Sequence, residues 1–305
     1  MSDCLAGIPV HHENPLGFAF RRWRTCARFR RAFGRPFNPH APTLSEEKVL
    51  YRKLYGNHAV YAFLADKYRV REFVRERVGE RYLIPLLGVH ERLTPAIFDD
   101  LPDRFIIKAT HGCKWHQIVR DKSQLDVDAT VKRFNRLMRR RRGRTSGEYH
   151  YRLIEPRIVI EALLDDGGDS PPDYDFFCFH SDGGFDYALA VVMPGGARAV
   201  HFDKDWTRVE MTCTAEEAAR VARPVNFEEM VDVAERLSRG FDCLRIDLYN
   251  VAGRISFGEV TCTPAAGIAP IANRDRSERF ARLWKLDRHN RRLYQSDPRE
   301  RAAAA

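Results

Sequence analysis

Asp247 and Glu259 are the residues whose placement most directly suggests chemistry. Each lies in an apolar stretch, Leu244-Arg245-Ile246-Asp247-Leu248-Tyr249 and Ile255-Ser256-Phe257-Gly258-Glu259-Val260-Thr261, and residues 250–254 between them read as a turn. Two strands joined by a turn bring the acids onto neighbouring strands, where both carboxylates can face one side. With the hydroxyl of Thr261 or Thr263 they make a hard oxygen site suited to Mg²⁺, with room for substrate phosphates. Arg245 shares the face of Asp247 because strand side chains alternate. A guanidinium there suits a phosphate or a developing oxyanion. Pro264-Ala265-Ala266-Gly267 follows as a small-residue turn whose amides can approach a ligand. The competing reading is a hairpin with ordinary exposed charges.

Lys108 is the second candidate. It ends the apolar run Phe105-Ile106-Ile107 and precedes Thr110-His111-Gly112, in a chain with nine Lys beside 42 Arg. A Lys in that position is a point charge suited to a nucleotide phosphate, or equally a strand-end solvent contact. His111, Cys113 and His116 lack a regular ligand spacing and a fourth ligand, so a transition-metal site is not expected. Glu161 ends Ile158-Val159-Ile160, where an acid either caps the segment or hydrogen-bonds a ribose or an exocyclic amine. Lys67 reads as a solvated helix charge.

The elements that must position these residues are mixed. Helices are expected over 18–35, from Ser45 to Tyr55, over 60–78, from Val127 to about Arg141, through Phe227–Leu237 to Gly240, and from Asp275 to about Arg292. Strands are expected at 105–109, 157–163, 174–180, 185–192, 198–203, 243–250 and 254–262, with Asp165–Pro172 as a loop. No repeat is visible, and the pattern is α+β with substantially antiparallel sheet rather than a regular βαβ series.

The chain has 305 residues, 44% of them apolar, enough for a large composite domain or several subdomains. Its net charge of +9 invites a nucleic-acid or acidic-membrane reading, but the excess is local. Residues 1–40, 132–144 and 274–301 carry +5, +8 and +5, which leaves the remainder at −9. Segment 132–144 has one aromatic neighbour, Phe134, and so lacks stacking platforms; a nucleic-acid partner is not expected. In 18–35, Arg21, Arg24, Arg28, Arg31 and Arg35 form one stripe, with Phe20, Trp23, Cys26, Phe29 and Phe33 on the other side. That helix either packs its aromatic side on the body or makes peripheral contact with an anionic membrane. Seven cysteines without a CxxC spacing argue against a disulfide framework or zinc ribbon. With no apolar leader or spanning run, a cytoplasmic location is expected, with membrane association through residues 18–35 as the further option.

Six collinear segments add to this reading. They are Ala65-Asp66-Lys67-Tyr68-Arg69-Val70-Arg71-Glu72, Tyr82-Leu83-Ile84-Pro85-Leu86-Leu87-Gly88-Val89, Phe105–Gly112, Pro156–Glu161, Asp173–Phe179, and Arg245–Tyr249 running on to Phe257–Pro264. In this order, from about Phe29 to about Leu286, the chain resembles the TupA-like branch of the ATP-grasp superfamily. The resemblance implies two α+β lobes with largely antiparallel sheets clamping ATP, and ligation of a carboxylate to an amine through an acyl phosphate, with Mg²⁺. It implies that Lys67 and Lys108 contact ATP phosphates, that Glu161 lies at the adenine hinge and that Asp173 lies near the ribose. It further implies that Asp247 and Glu259 bind Mg²⁺ and that Arg245 stabilises the transferring phosphoryl group or tetrahedral intermediate.

The chain departs from the family pattern at several points. Cys113-Lys114-Trp115 follows a single Gly, so that Lys114 supplies charge where the family's loop is glycine-rich. Asp175 replaces a Lys, Thr261 replaces the superfamily's metal-ligand Asn, and Ala265-Ala266 replaces Gly-Ser. The implied organisation is a basic extension (1–42), a helical substrate-side region (43–100), a small lobe (101–162), a C-terminal lobe with the Mg²⁺ site (163–292) and a tail (293–305). The substrates implied are a small-molecule or glycan carboxylate, in cell-surface polysaccharide chemistry, and an amine. A phosphotransferase or a degenerate nucleotide-binding module on the same fold stays open.

Overall fold

The computed structural model describes residues 4–11, 13–140, 143, 146–164, 170–194, 196, 198–267, 271 and 273–295. Arg141, Arg142 and Arg144 of the basic run, most of the 165–172 loop and the end of the tail lie outside the described residues. In chain order the elements are α1 (Pro15–Phe33), α2 (Ser45–Tyr55), α3 (His58–Ala65), α4 (Val70–Arg77), β1 (Leu86–His90), β2 (Phe105–Ala109), β3 (His116–Val119), α5 (Val127–Leu137) and β4 (Ile158–Ala162). There follow β5 (Asp173–Ser181), β6 (Gly184–Val192), β7 (Ala199–Phe202), β8 (Arg208–Met211), α6 (Ala215–Ala219), α7 (Phe227–Ser238), β9 (Cys243–Val251), β10 (Arg254–Thr261) and α8 (Arg274–Leu283).

The fold is α+β with two antiparallel sheets, as the resemblance implies. The smaller has the order β1-β4-β2-β3, the larger β10-β9-β5-β6-β7-β8. Strand β1 comes from the 43–100 segment, so the small sheet draws on that segment as well as on 101–162. Alternation decides what each face does. On β2, Phe105, Ile107 and Ala109 are fully buried; Phe105 and Ile107 share a core with Phe134 and Leu137 of α5, and Lys108 points the opposite way. On β5, Phe176 and Cys178 share a core with Met230 and Ala234 of α7, whereas Phe177 and Phe179 meet Phe280 of α8. Asp173 and Asp175 continue the second face toward the start of β5.

Several elements differ from expectation for local reasons. The 60–78 helix is broken between α3 and α4, because the buried Asp66 carboxylate accepts from the amides of Tyr68 (2.9 Å) and Arg69 (3.4 Å) and starts a new helix there. Helix α8 stops at Leu283, where Lys48 Nζ donates to the carbonyls of Ala281 (2.5 Å) and Trp284. Strand β8 and the short α6 were not expected. Thr214 and Glu217 cap α6 reciprocally.

Helix α1 runs from Pro15 to Phe33 rather than over 18–35, and its orientation differs from expectation. Arg21, expected on the solvent stripe, is buried. It pairs with Glu13 at 2.6 Å and donates to the carbonyls of Lys53 and Leu54, while Phe20 and Trp23 face outward. All seven cysteines are free thiols. Among the described residues no helix is long and apolar enough to cross a membrane.

Candidate functional site

Three adjacent strands of the large sheet carry a row of acids. Asp175 on β5 pairs across to Asp247 on β9, and Asp247 pairs across to Glu259 on β10. Simple alternation from the 252–253 turn would place Glu259 opposite Ile246, on the core face. A bulge between Phe257 and Glu259 shifts the register by one and turns Glu259 to the side of Asp247. Gly258 permits it: a Cβ there would lie 3.0 Å from the Asp247 carbonyl and 3.1 Å from the Tyr249 ring. Gly258→Ala is therefore expected to cost about 2 kcal/mol of stability, which thermal or denaturant melts of the variant would read.

Arg245 sits among these acids. Its guanidinium reaches Asp247 at 2.5 and 2.7 Å, Glu259 at 3.4 Å and Asp175 at 3.4 Å. Thr261, across from Arg245, donates to Glu259 at 3.3 Å. The buried Thr263 is instead taken by Glu148 at 2.7 Å. Asp173 accepts from the Tyr249 phenol.

Burial, with Asp173 and Glu259 as like-charged neighbours, pushes Asp175 up to about 6 despite Arg245. Burial and the same kind of crowding raise Asp247 well above the usual carboxylate range. Desolvation opposes the ionisation of Glu259, but Lys67 and Arg245 outweigh it and hold the carboxyl below its ordinary value.

The small sheet and the α3–α4 segment supply the opposing charge. Lys108 Nζ is 2.8 Å from Glu161, whose other oxygen takes Arg71 of α4 at 2.9 Å. Lys67, in the break between α3 and α4, donates to the Gly112 carbonyl at 3.1 Å and reaches across to Glu259 at 3.7 Å. Lys108 also acts on Asp173 and Glu259 electrostatically, and His116 on β3 lies beside Lys108 and is depressed by burial and by the two lysines. Lys114 is exposed in the loop after β2 at φ 60°, with no contact to the cluster among the described residues. His111 is turned inward, against the Leu137 carbonyl and the Trp115 ring.

The structure thus gathers Lys67, Lys108, Glu161, Asp173, Arg245, Asp247, Glu259 and Thr261 into one cluster of charged and polar side chains, and leaves Lys114 outside it. Sequence reasoning assigned no site role to Asp175, Arg71 or Tyr249. The alternation of Asp173-Tyr174-Asp175 puts Asp175 on the face of Asp173, and Arg71 lies in the segment Ala65–Glu72 that carries Lys67.

Among the described residues no three His, Cys, Asp or Glu side chains form a ready metal cage. The Arg245 guanidinium stands between the carboxylates as their counter-ion. The donor set, carboxylates and a hydroxyl, is nevertheless of the hard-oxygen type that suits a cation such as Mg²⁺.

No curated protein matches the chain. Similar solved structures include D-alanyl-alanine synthetase A from Vibrio cholerae O1 biovar eltor str. N16961, at 14% identity over 72% of this chain and 60% of that one, TM-score 0.45. An L-amino acid ligase from Bacillus licheniformis is similar at 12% identity over 74% and 51%, TM-score 0.46. An N5-carboxyaminoimidazole ribonucleotide synthetase in its ADP complex is similar at 11% over 67% and 46%, TM-score 0.40. The chain spans 46% to 60% of the length of these three structures. The profile of the family described as TupA-like ATPgrasp matches residues 47–281, well over half of the chain, and the protein belongs to that family.

Proposed function

We propose that this chain is an ATP-dependent ligase that joins a carboxylate to an amine. The observation that carries the reading is the charge arrangement: Lys108 on the small sheet and Lys67 in the α3–α4 break face Arg245, Asp247 and Glu259 on the large sheet. Phosphoryl transfer is mainly positioning and charge neutralisation, and these residues supply both. Lys67 and Lys108 receive the nucleotide's phosphates, with Lys114 adding charge from the loop. Asp173 is assigned to the ribose and Glu161 to the adenine side. Asp247, Glu259 and Thr261, with Asp175 beside them, would hold Mg²⁺, which when bound offsets the charge of the phosphates.

Freed from Asp247, Arg245 turns its donors to the transferring phosphoryl group and then to the oxyanion of the tetrahedral intermediate. The substrate carboxylate takes the γ-phosphoryl group and ADP leaves. The amine then displaces phosphate and loses a proton, so the products are an amide, ADP and phosphate. We assign the carboxylate to the small-molecule or glycan class. The family resemblance makes a uronic-acid-containing cell-surface polysaccharide or its precursor the first to try.

Two measurements test this. ATP with Mg²⁺ should raise the thermal midpoint, and ADP release from a panel of carboxylates should require an amine and yield a new amide. Phosphate retained on the acceptor, or no midpoint shift with any nucleotide, would overturn it.

A further inference from the structure

Helix α1 is anchored to the body by one face. Phe18 and Phe29 are fully buried, and Arg21 is fixed by Glu13 and by two carbonyls at the end of α2. The opposite face is bare and apolar. Leu16, Phe20 and Trp23, at helical positions i, i+4 and i+7, are 82%, 58% and 65% exposed, and exposed Ala27 continues the stripe. Arginines border it: Arg24 lies over the Phe20 ring at 5.7 Å, and Arg30 and Arg31 are exposed in the last turn. No acidic residue occurs from Pro15 to Phe33, and the preceding Glu13 is paired with Arg21.

We infer that this face docks α1 flat on an anionic lipid surface, with Leu16, Phe20 and Trp23 at the acyl boundary and Arg24, Arg30 and Arg31 among the phosphates. Aromatic and aliphatic side chains flanked by arginines are the composition of an interfacial helix. A polybasic surface without acids is complementary to an anionic leaflet. A second copy of the chain fits less well. A two-fold contact on this stripe would set each arginine row against its counterpart, and three side chains fall well short of the roughly 1,000 Å² that a stable protein interface buries. The anchored face keeps the helix in place, so docking needs no unfolding. The inference is independent of the reaction proposed above.

The test uses the full chain with phosphatidylcholine vesicles, with and without phosphatidylglycerol. The protein should co-sediment with the phosphatidylglycerol vesicles alone, with a blue shift of tryptophan emission as Trp23 leaves water, and salt should weaken binding. Phe20→Ser/Trp23→Ser should lose about tenfold or more of the partitioning. Arg30→Glu/Arg31→Glu, on exposed positions, should also lose it while keeping the wild-type thermal midpoint, which excludes misfolding as the cause. Absence of binding to phosphatidylglycerol vesicles, equal binding to both vesicle types, or undiminished binding by both variants would overturn the inference. So would a wild-type dimer that Phe20→Ser/Trp23→Ser converts to monomer without any vesicle binding, since the stripe would then belong to a second copy.

Discussion

Replacing Asp247 by Asn is expected to lower ADP production about 10²- to 10³-fold and to abolish the Mg²⁺-dependent part of nucleotide stabilisation, while the chain stays folded. The upper figure corresponds to about 4 kcal/mol of transition-state stabilisation. Asp247 is the central acid of the row, in register with Asp175 on one side and Glu259 on the other, and both its oxygens are held by Arg245. Asn keeps the shape and one acceptor for Arg245, but it removes the charge that a divalent cation needs. It also removes a repulsion: burial and the neighbouring acids already push Asp247 and Asp175 upward. The unliganded midpoint should therefore move by only a few degrees, in either direction. A variant that retained ADP production to within about tenfold of wild type would sink the site assignment.

The same row shows what the sequence could and could not disclose. The apolar runs around Asp247 and Glu259 announced two strands and a turn, and period-2 spacing put Arg245 with Asp247. The parity of Glu259 did not follow from spacing, because the bulge at Gly258 reverses it; a glycine inside a strand was the available signal. Asp175 reaches the row only because β5 pairs with β9, a contact between segments about seventy residues apart that no local pattern encodes. Lys67 read as a solvated helix charge, and the Asp66 cap that breaks the helix brings it to Glu259. Arginine on α1 suggested a wet face, yet Arg21 is buried because Glu13 and two carbonyls of α2 saturate its donors. In each case the element was legible, and its orientation was set by a bulge, a cap or a pairing that periodicity does not show.

The largest stability effect is expected from Asp242→Ala, about 3–5 kcal/mol. Asp242 and Arg52 form a buried pair, at 1% and 0% side-chain exposure. Arg52 also donates to the carbonyls of Cys243 (2.7 Å) and Cys262 (2.9 Å) and lies over the Trp284 ring at 4.3 Å. Asp242 in turn accepts from the Tyr294 hydroxyl at 2.7 Å and the Asp287 amide at 3.2 Å. One ion pair thus ties α2 to the start of the strand bearing Asp247, to the end of the strand bearing Glu259, and to the segment after α8. Removing the acid strands a guanidinium that water cannot reach, along with a phenol and an amide that lose their acceptor. Against a total stability of about 5–15 kcal/mol, that loss is a large fraction. Arg52→Met/Asp242→Leu should cost less than the sum of the single substitutions, because neither charge is then left unpaired. Denaturant melts of the two single variants and the double variant measure this coupling. Additive losses would show that the pair does not act as a unit, and a drop of under about 1 kcal/mol for Asp242→Ala would show that water reaches the site.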